Sequence, residues 1–471
     1  MKRLAAAALL AATSCAVGPK YQRPEVPVPP TYFNVPAGPD AASIADVPWW
    51  EMFRDEPLQG LIREAIANNQ DLRLATARVE ESRALLGIAR ADFYPQVSLA
   101  AGGTYGQQTA KAYPGYGNIG PSGVWSASVG VSWEIDLWGK IRNASDAAKA
   151  SLLATEEGRR GTLITLVAEV AQAYFELREL DVELEIAQRN TSTRQGTLDL
   201  FEKRANGGIG NDLEVNQARA DLAVTAAAIP QAEKLIALKE NQISVLLGRA
   251  PGPIPRAAVG SLPPPPALPV GVPAALLERR PDVRGAEDNV MAATSSVGVA
   301  VANRLPSLSL QGIIGLAGPQ LPSMFSANGL IWSVGGGLLA PIFQGGRLLS
   351  EQEAAEARLE QSVAVYRQTV LNAFSEVSGA AVSVVKLGRV RVEQEKQVKA
   401  ALAAEHLARL RYEGGVSSYL EVLDAQRSSF NAELQLAQTA RDETVSAVQL
   451  YRALGGGWQE APPVPAPPPK G

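Results

Sequence analysis

A chain of 471 residues exceeds the usual size of one compact domain, so a repeat or several modules are expected. The formal net charge of −4 offers no basic excess to neutralise phosphates, which excludes nucleic acid as a general partner. His406 is the only histidine and Cys15 the only cysteine, which excludes an internal disulfide and most metal chemistry; a catalytic triad would need His406, whose charged surroundings (AAEHLARLRY) suit a solvated helix face, so no enzyme is expected.

Lys2 and Arg3 form a basic start, and Leu4 to Ala12 is an apolar stretch too short to span a bilayer as a helix. The run ATSC, ending at Cys15, resembles a bacterial lipobox, in which the signal is cut before the cysteine and its thiol takes a diacylglycerol. Ala12 stands where leucine is commoner, and an ordinary signal peptide with an incidental cysteine is the plainer alternative. Residues 1–14 are thus expected as signal peptide, with Cys15 lipidated and no other cofactor. Ala16 is not the aspartate that holds lipoproteins in the inner membrane, which points to the outer one. A Pro-rich segment, 15–57, follows.

From Pro95, PQVSLAAGGTYG alternates: Val97, Leu99, Ala101 and Tyr105 take one side, Gln96, Ser98 and Thr104 the other. From Trp125, WSASVGVSWEIDLW puts Trp125, Val129, Val131, Trp133, Ile135 and Leu137 on one face, with Ser126, Ser128, Ser132, Glu134 and Asp136 opposite. Strands of about 10–13 residues with tryptophans near their ends suit a transmembrane β-barrel, and no long apolar run suggests a spanning helix. Glu134 and Asp136 would then face a lumen and favour cations, or serve as ordinary wetted side chains.

From Gly139 to about Asn206, Leu163, Leu166, Val170, Ala173, Leu177, Leu180 and Leu184 alternate by threes and fours, the pattern of a coiled coil. One continuous helix there would measure roughly 100 Å. Asn206-Gly207-Gly208 would end it, since glycine accepts the left-handed backbone of a helix C-terminus, and Asn211 or Asp212 would cap the returning helix. Residues 58–250 form this first unit, and a Pro-rich linker, 251–275, follows it.

Residues 276–457 repeat the first unit. RANGGIGNDLEVNQA, from Arg204, matches RYEGGVSSYLEVLDA, from Arg411, at an offset of 207, so Gly207 and Gly208 pair with Gly414 and Gly415. The heptad carries over as Val370, Ala373, Val377, Ala380, Val384 and Leu387 before failing at Arg391. Upstream the offset is 211, pairing Asp71 with Asp282 and Pro95 with Pro306, so the second copy loses four residues between Pro306 and Gly346. Its hairpin is expected at about 306–343, its tip at about 412–419 with Ser417 or Ser418 as cap, and a Pro-rich disordered tail at 458–471. Four strands per chain cannot close a barrel, and open edges are not tolerated in lipid, so several chains must share one barrel; three would give twelve strands, and arithmetic alone leaves two or four chains open.

The lipobox followed by GPKYQRP, then LWGKIR from Leu137, ERRPDVR from Glu278, PIFQGGR from Pro341, YLEVLDAQR from Tyr419 and LGGGW from Leu454 together resemble the outer-membrane lipoproteins of RND-type tripartite efflux systems, the TolC/OprM-like family. The resemblance implies a mainly α protein: a homotrimer with a twelve-stranded barrel and a twelve-helix periplasmic tunnel. It implies passive export of small molecules, with a periplasmic adaptor at the tips Gly207, Gly208, Gly414 and Gly415 and an RND-type inner-membrane transporter supplying energy. It also implies that Leu420 and Asp424 line a periplasmic constriction; residues four apart share one helix face. In a trimer they would form a ring of leucines over a ring of mutually repelling carboxylates, which would favour cations or relax when neutralised. The plainer alternative is a coiled-coil knob and a solvated acid. The first copy has Leu213 but Gln217 there, so the acidic ring belongs to the second alone. A type I secretion outlet and a heavy-metal outlet are the competing functions.

Overall fold

The computed structural model describes residues 16–34, 43–46, 48, 55–107, 121–258, 260, 271 and 273–456. The expected signal peptide, Cys15, about half of the linker and the tail lie outside the described residues. In chain order the elements are α1 (Glu56–Asn68), α2 (Gln70–Ala91), β1 (Gln96–Gly106), β2 (Ser122–Ile135), α3 (Lys140–Asn206), α4 (Asp212–Leu246), the single turn α5 (Leu276–Arg279), α6 (Pro281–Ala302), β3 (Ser307–Gly318), the single turn α7 (Leu321–Met324), β4 (Leu330–Leu339), α8 (Arg347–Glu413) and α9 (Tyr419–Ala453). α3 and α8 have 67 residues each and α4 and α9 have 35, and the bounds of each pair differ by 207. Those of α2 and α6 differ by 211.

Two compact units divide the chain. The first comprises residues up to Glu25, Arg78–Glu156 and Gly285–Arg367, and holds the sheet. Its strands are antiparallel in the order β1-β2-β3-β4, so β1 and β4 are edges with no further partner among the described residues. The register keeps one chemistry on each side. Leu99 lies opposite Val129, Val129 opposite Ile314, and Ile314 opposite Trp332; Trp133, Leu310, Val334 and Leu338 share that face. The other face carries Gln96, Ser98, Ser128, Ser132, Ser309, Gln311 and Ser333, with many glycines. Every residue of β1 and β4 is exposed, the apolar ones included. Among the described residues no layer covers these four strands, so this apolar surface stands open.

The first unit also fastens the residues just after Cys15. Val17 donates to the Trp138 carbonyl and Asn143 Nδ2 to the Val17 carbonyl, each at 3.0 Å. Gly18 takes φ +113° hard against Gly298, where a Cβ would come within 2.5 Å of the Gly298 Cα, so only glycine fits. Tyr21 and Arg23 then bind the Glu287 carboxylate at 2.8 and 2.7 Å.

The second unit comprises Val26–Ala77, Glu157–Arg284 and the residues from Gln368. Leu163, Leu166, Val170, Ala173, Leu177 and Leu180 of α3 are buried, as the heptad predicts. In α8, Val370, Ala373 and Val377 are buried, but Ala381 is buried where Ala380 was expected, so the seam drifts by one residue. α4 runs through Pro230, since a proline removes one N–H and leaves the other hydrogen bonds of the helix in place. One expectation needs correction: an apolar helical stretch does occur, as one 18-residue window of α8 reaches a mean hydropathy of 1.3. Length and composition alone would let it cross a membrane, but its apolar residues include the buried heptad positions just named, which pack on protein.

Candidate functional site: the helix tips and the start of the long helix

Both tips close in the same way. Gly208 and Gly415 have φ +74° and +72°, the left-handed conformation that ends a helix, and the N–H groups of residues 207–209 and 414–416 return to carbonyls of the last turn. Ile209 and Val416, at the two apices, are 83% and 67% exposed. The caps differ. Asn211 accepts a hydrogen bond from the Leu213 N–H at 2.8 Å, whereas Ser418, in the matching place, makes no side-chain cap bond, and the Ser417 hydroxyl is buried without a partner.

Behind the tips Leu198, Phe201, Val215, Ala218, Ala408, Tyr419, Val422 and Leu423 form a buried cluster. The Phe201 ring meets Tyr419 edge-on at 4.5 Å and Tyr412 at 5.8 Å. Burial first, then the Asp221 carboxylate, pushes the Tyr419 hydroxyl well above the ordinary tyrosine range, so it stays neutral. With Val422 and Leu423 turned inward, Leu420 and Asp424 are left together on the outer face of α9, both exposed, Leu420 to 61%. His406 is exposed on α8.

The sequence reading missed the buried ion pair one step further along. Arg194 Nε stands 2.9 Å from Asp221 Oδ2, with the two side chains 3% and 1% exposed. The guanidinium also donates to the carbonyls of Asp221 and Gln426 and stacks over Phe430 at 5.3 Å, tying α3, α4 and α9 together. Burial lowers its pKa and Asp221 opposes that. Arg427, three residues beyond Asp424, reaches the same carboxylate at 3.3 Å from the solvent side. A signal existed: continued past Leu184, the heptad of α3 falls on Ala187, Thr191, Arg194, Leu198 and Phe201, so a guanidinium occupies an apolar seam position and needs a partner.

In the first unit Glu134 and Asp136 do different work. Asp136 lies just beyond β2, and its carboxylate accepts the N–H groups of Ile141 and Arg142 and the Arg142 Nε, all at 3.0 Å, capping α3. Glu134 pairs with Lys140 at 2.7 Å. Both carboxylates are thus matched by a cation of the same chain. Among the described residues no group of three or more His, Cys, Asp or Glu is placed to hold a metal.

Comparison with known proteins places these features in a family. The profile described as "Outer membrane efflux protein" matches residues 61–249 and 272–456. The cation efflux system protein CusC of Escherichia coli is 34% identical over 459 residues, 96% of this chain and 97% of that protein. The solvent efflux pump outer membrane protein SrpC of Pseudomonas putida is 34% identical over 463 residues, 97% of this chain and 98% of that one. Among solved structures, the outer-membrane channel OprN matches with a TM-score of 0.88 at 32% identity, covering 95% of this chain and 100% of its own, and CusC with 0.84 at 34%, covering 94% and 100%. With both halves matched and relatives aligned along nearly their whole length, the chain belongs to the outer membrane efflux protein family, whose members are outer-membrane transport proteins and not enzymes.

Proposed function

We propose that this protein is the outer-membrane exit duct of a tripartite efflux pump, conducting small molecules passively when an adaptor and an inner-membrane transporter engage it. The observation that carries this is the sheet: four antiparallel strands, apolar across one whole face, exposed, with two unpaired edges. Such a face suits lipid, and such edges can exist in lipid only when another strand closes them. Three protomers with four strands each would close a twelve-stranded barrel, so we read the working form as a homotrimer. Lipid at Cys15 would add a second anchor, close to where Val17 is pinned. Relatives named for cations and for solvents match at the same 34% identity, which supports export of small molecules in general over metal ions in particular.

The tips are the adaptor-facing end in this reading, with exposed apolar apices at Ile209 and Val416 beside the glycine turns Gly207-Gly208 and Gly414-Gly415. Leu420 and Asp424 form the periplasmic gate, since they point away from their own chain on one helix face. Glu134, matched by Lys140, contributes little net charge to a lumen, and Asp136 serves α3. Single-channel recording in planar bilayers tests the gate. Leu420→Ala and Asp424→Ala should each raise conductance several-fold, and unchanged conductance in both would remove the assignment.

A further inference from the structure

α3 and α9 run antiparallel along the second unit and are stitched by polar pairs between them. Gln449 donates to Gln172 at 2.6 Å, Gln438 to Glu183 at 2.9 Å, and Arg189 meets Glu433 at 2.5 Å. One level does not balance. Glu179 and Glu183 lie one turn apart on α3, and Glu179 and Asp442 of α9 share a single guanidinium, Arg441. Arg441 is divided between Glu179 at 3.4 Å and Asp442 at 2.9 Å. Glu179 is 2% exposed, and its Oε1 has no N–H or O–H donor among the described residues.

Among the described residues the neighbouring cations are committed elsewhere. On α8, Arg391 and Glu395 line the same cavity of about 410 Å³, but Arg391 is engaged by Glu395 and by Glu443 of α9, each at 3.2 Å. Glu185 and Glu433 on that wall add further negative charge, and Arg189 is held by Glu433. On α4, Lys239 is held by Glu176 at 2.6 Å. Two neighbouring carboxylates, one of them buried, cannot both be ionised cheaply; the simplest neutraliser is a proton between them.

We propose that Glu179 and Glu183 form a proton-binding site on α3, in which the buried Glu179 carboxyl keeps a proton that it donates to Glu183 one turn away. Deprotonation leaves a buried carboxylate one turn from a second one and lowers the stability of the fold. Burial, reinforced by the neighbouring Glu183, pushes Glu179 up to about 8 from the ordinary 4.5, with Arg441 opposing. The direction follows from linkage. The folded value lies above the unfolded one, so the folded protein keeps a proton that the unfolded chain releases; stability falls as pH rises through about 4.5 to about 8 and levels off above. This inference stands apart from the gate, which lies at the far end of α3.

The test uses the full-length protein in detergent, read by infrared difference spectroscopy and thermal melting across that pH range. The wild type should show a protonated-carboxyl band that titrates away with a midpoint near 8, and a melting temperature that falls over the same interval. Glu179→Gln, permanently neutral, should lose the band and flatten the melting profile. Glu183→Gln removes the neighbouring negative charge and should move the midpoint down. Absence of the band in the wild type at pH 6.5, or a Glu179→Gln profile as steep as the wild type, overturns the proposal. If Glu179→Gln does not fold, an unmoved midpoint in Glu183→Gln overturns it instead.

Discussion

Arg194 shows how much one misfit residue can organise. It sits where the heptad wants an aliphatic side chain, and its cation is balanced by Asp221, two carbonyls and the Phe430 ring. Removing one partner of a pair this buried strands the other, so Arg194→Ala should cost about 3–5 kcal/mol. Thermal melting should show a large drop, and a double replacement by apolar residues of similar size, Arg194→Met with Asp221→Leu, should recover most of it. A double variant as unstable as Arg194→Ala would mean that the guanidinium does more than balance Asp221. The acid was invisible at the sequence level because its partner lies 27 residues away across a turn, and spacing along one helix says nothing of such a meeting. Asp136 misled for a related reason. Strand alternation assigned it to a polar face, but the strand ends at Ile135, and a carboxylate one residue beyond serves the helix that follows.

At the scale of elements, the two tips share a backbone and differ in their caps. Asn211→Ala should lose a capping hydrogen bond and about 1 kcal/mol, whereas Ser418→Ala, which removes no such bond, should change stability by only a few tenths. Equal losses in the two variants, by thermal melting, would show that the asymmetry has no energetic weight. The elements were more legible than the contacts. Period-two alternation placed all four strands, and the period of 3.5 with terminal glycines placed the long helices nearly to the residue, because both patterns persist over many residues and survive in two copies. A single proline carried less weight. Pro230 lies within α4 while the equivalent place in α9 is Ala437, so packing overrode a local breaker.

For the whole molecule the sheet sets the terms. Its two faces predict opposite responses to the same new charge. Val334→Lys puts an ammonium on the apolar side of β4 and should cost about 2–4 kcal/mol near a bilayer midplane, whereas Ser333→Lys, next door on the polar side, should be tolerated. The yield of heat-modifiable oligomer in outer-membrane fractions measures both, and equal yields would contradict a lipid-facing assignment. The edges carry a further consequence. In the proposed barrel a newly exported protomer would have two open sheet edges, so insertion and assembly would be one event, completed only when partners meet in register. A fault in β1 or β4 of one copy is then a fault in the whole ring. If the working form is the proposed trimer, then with sound and damaged chains made in equal amounts only about one trimer in eight would contain none of the damaged kind. Genetically, such a lesion behaves as dominant.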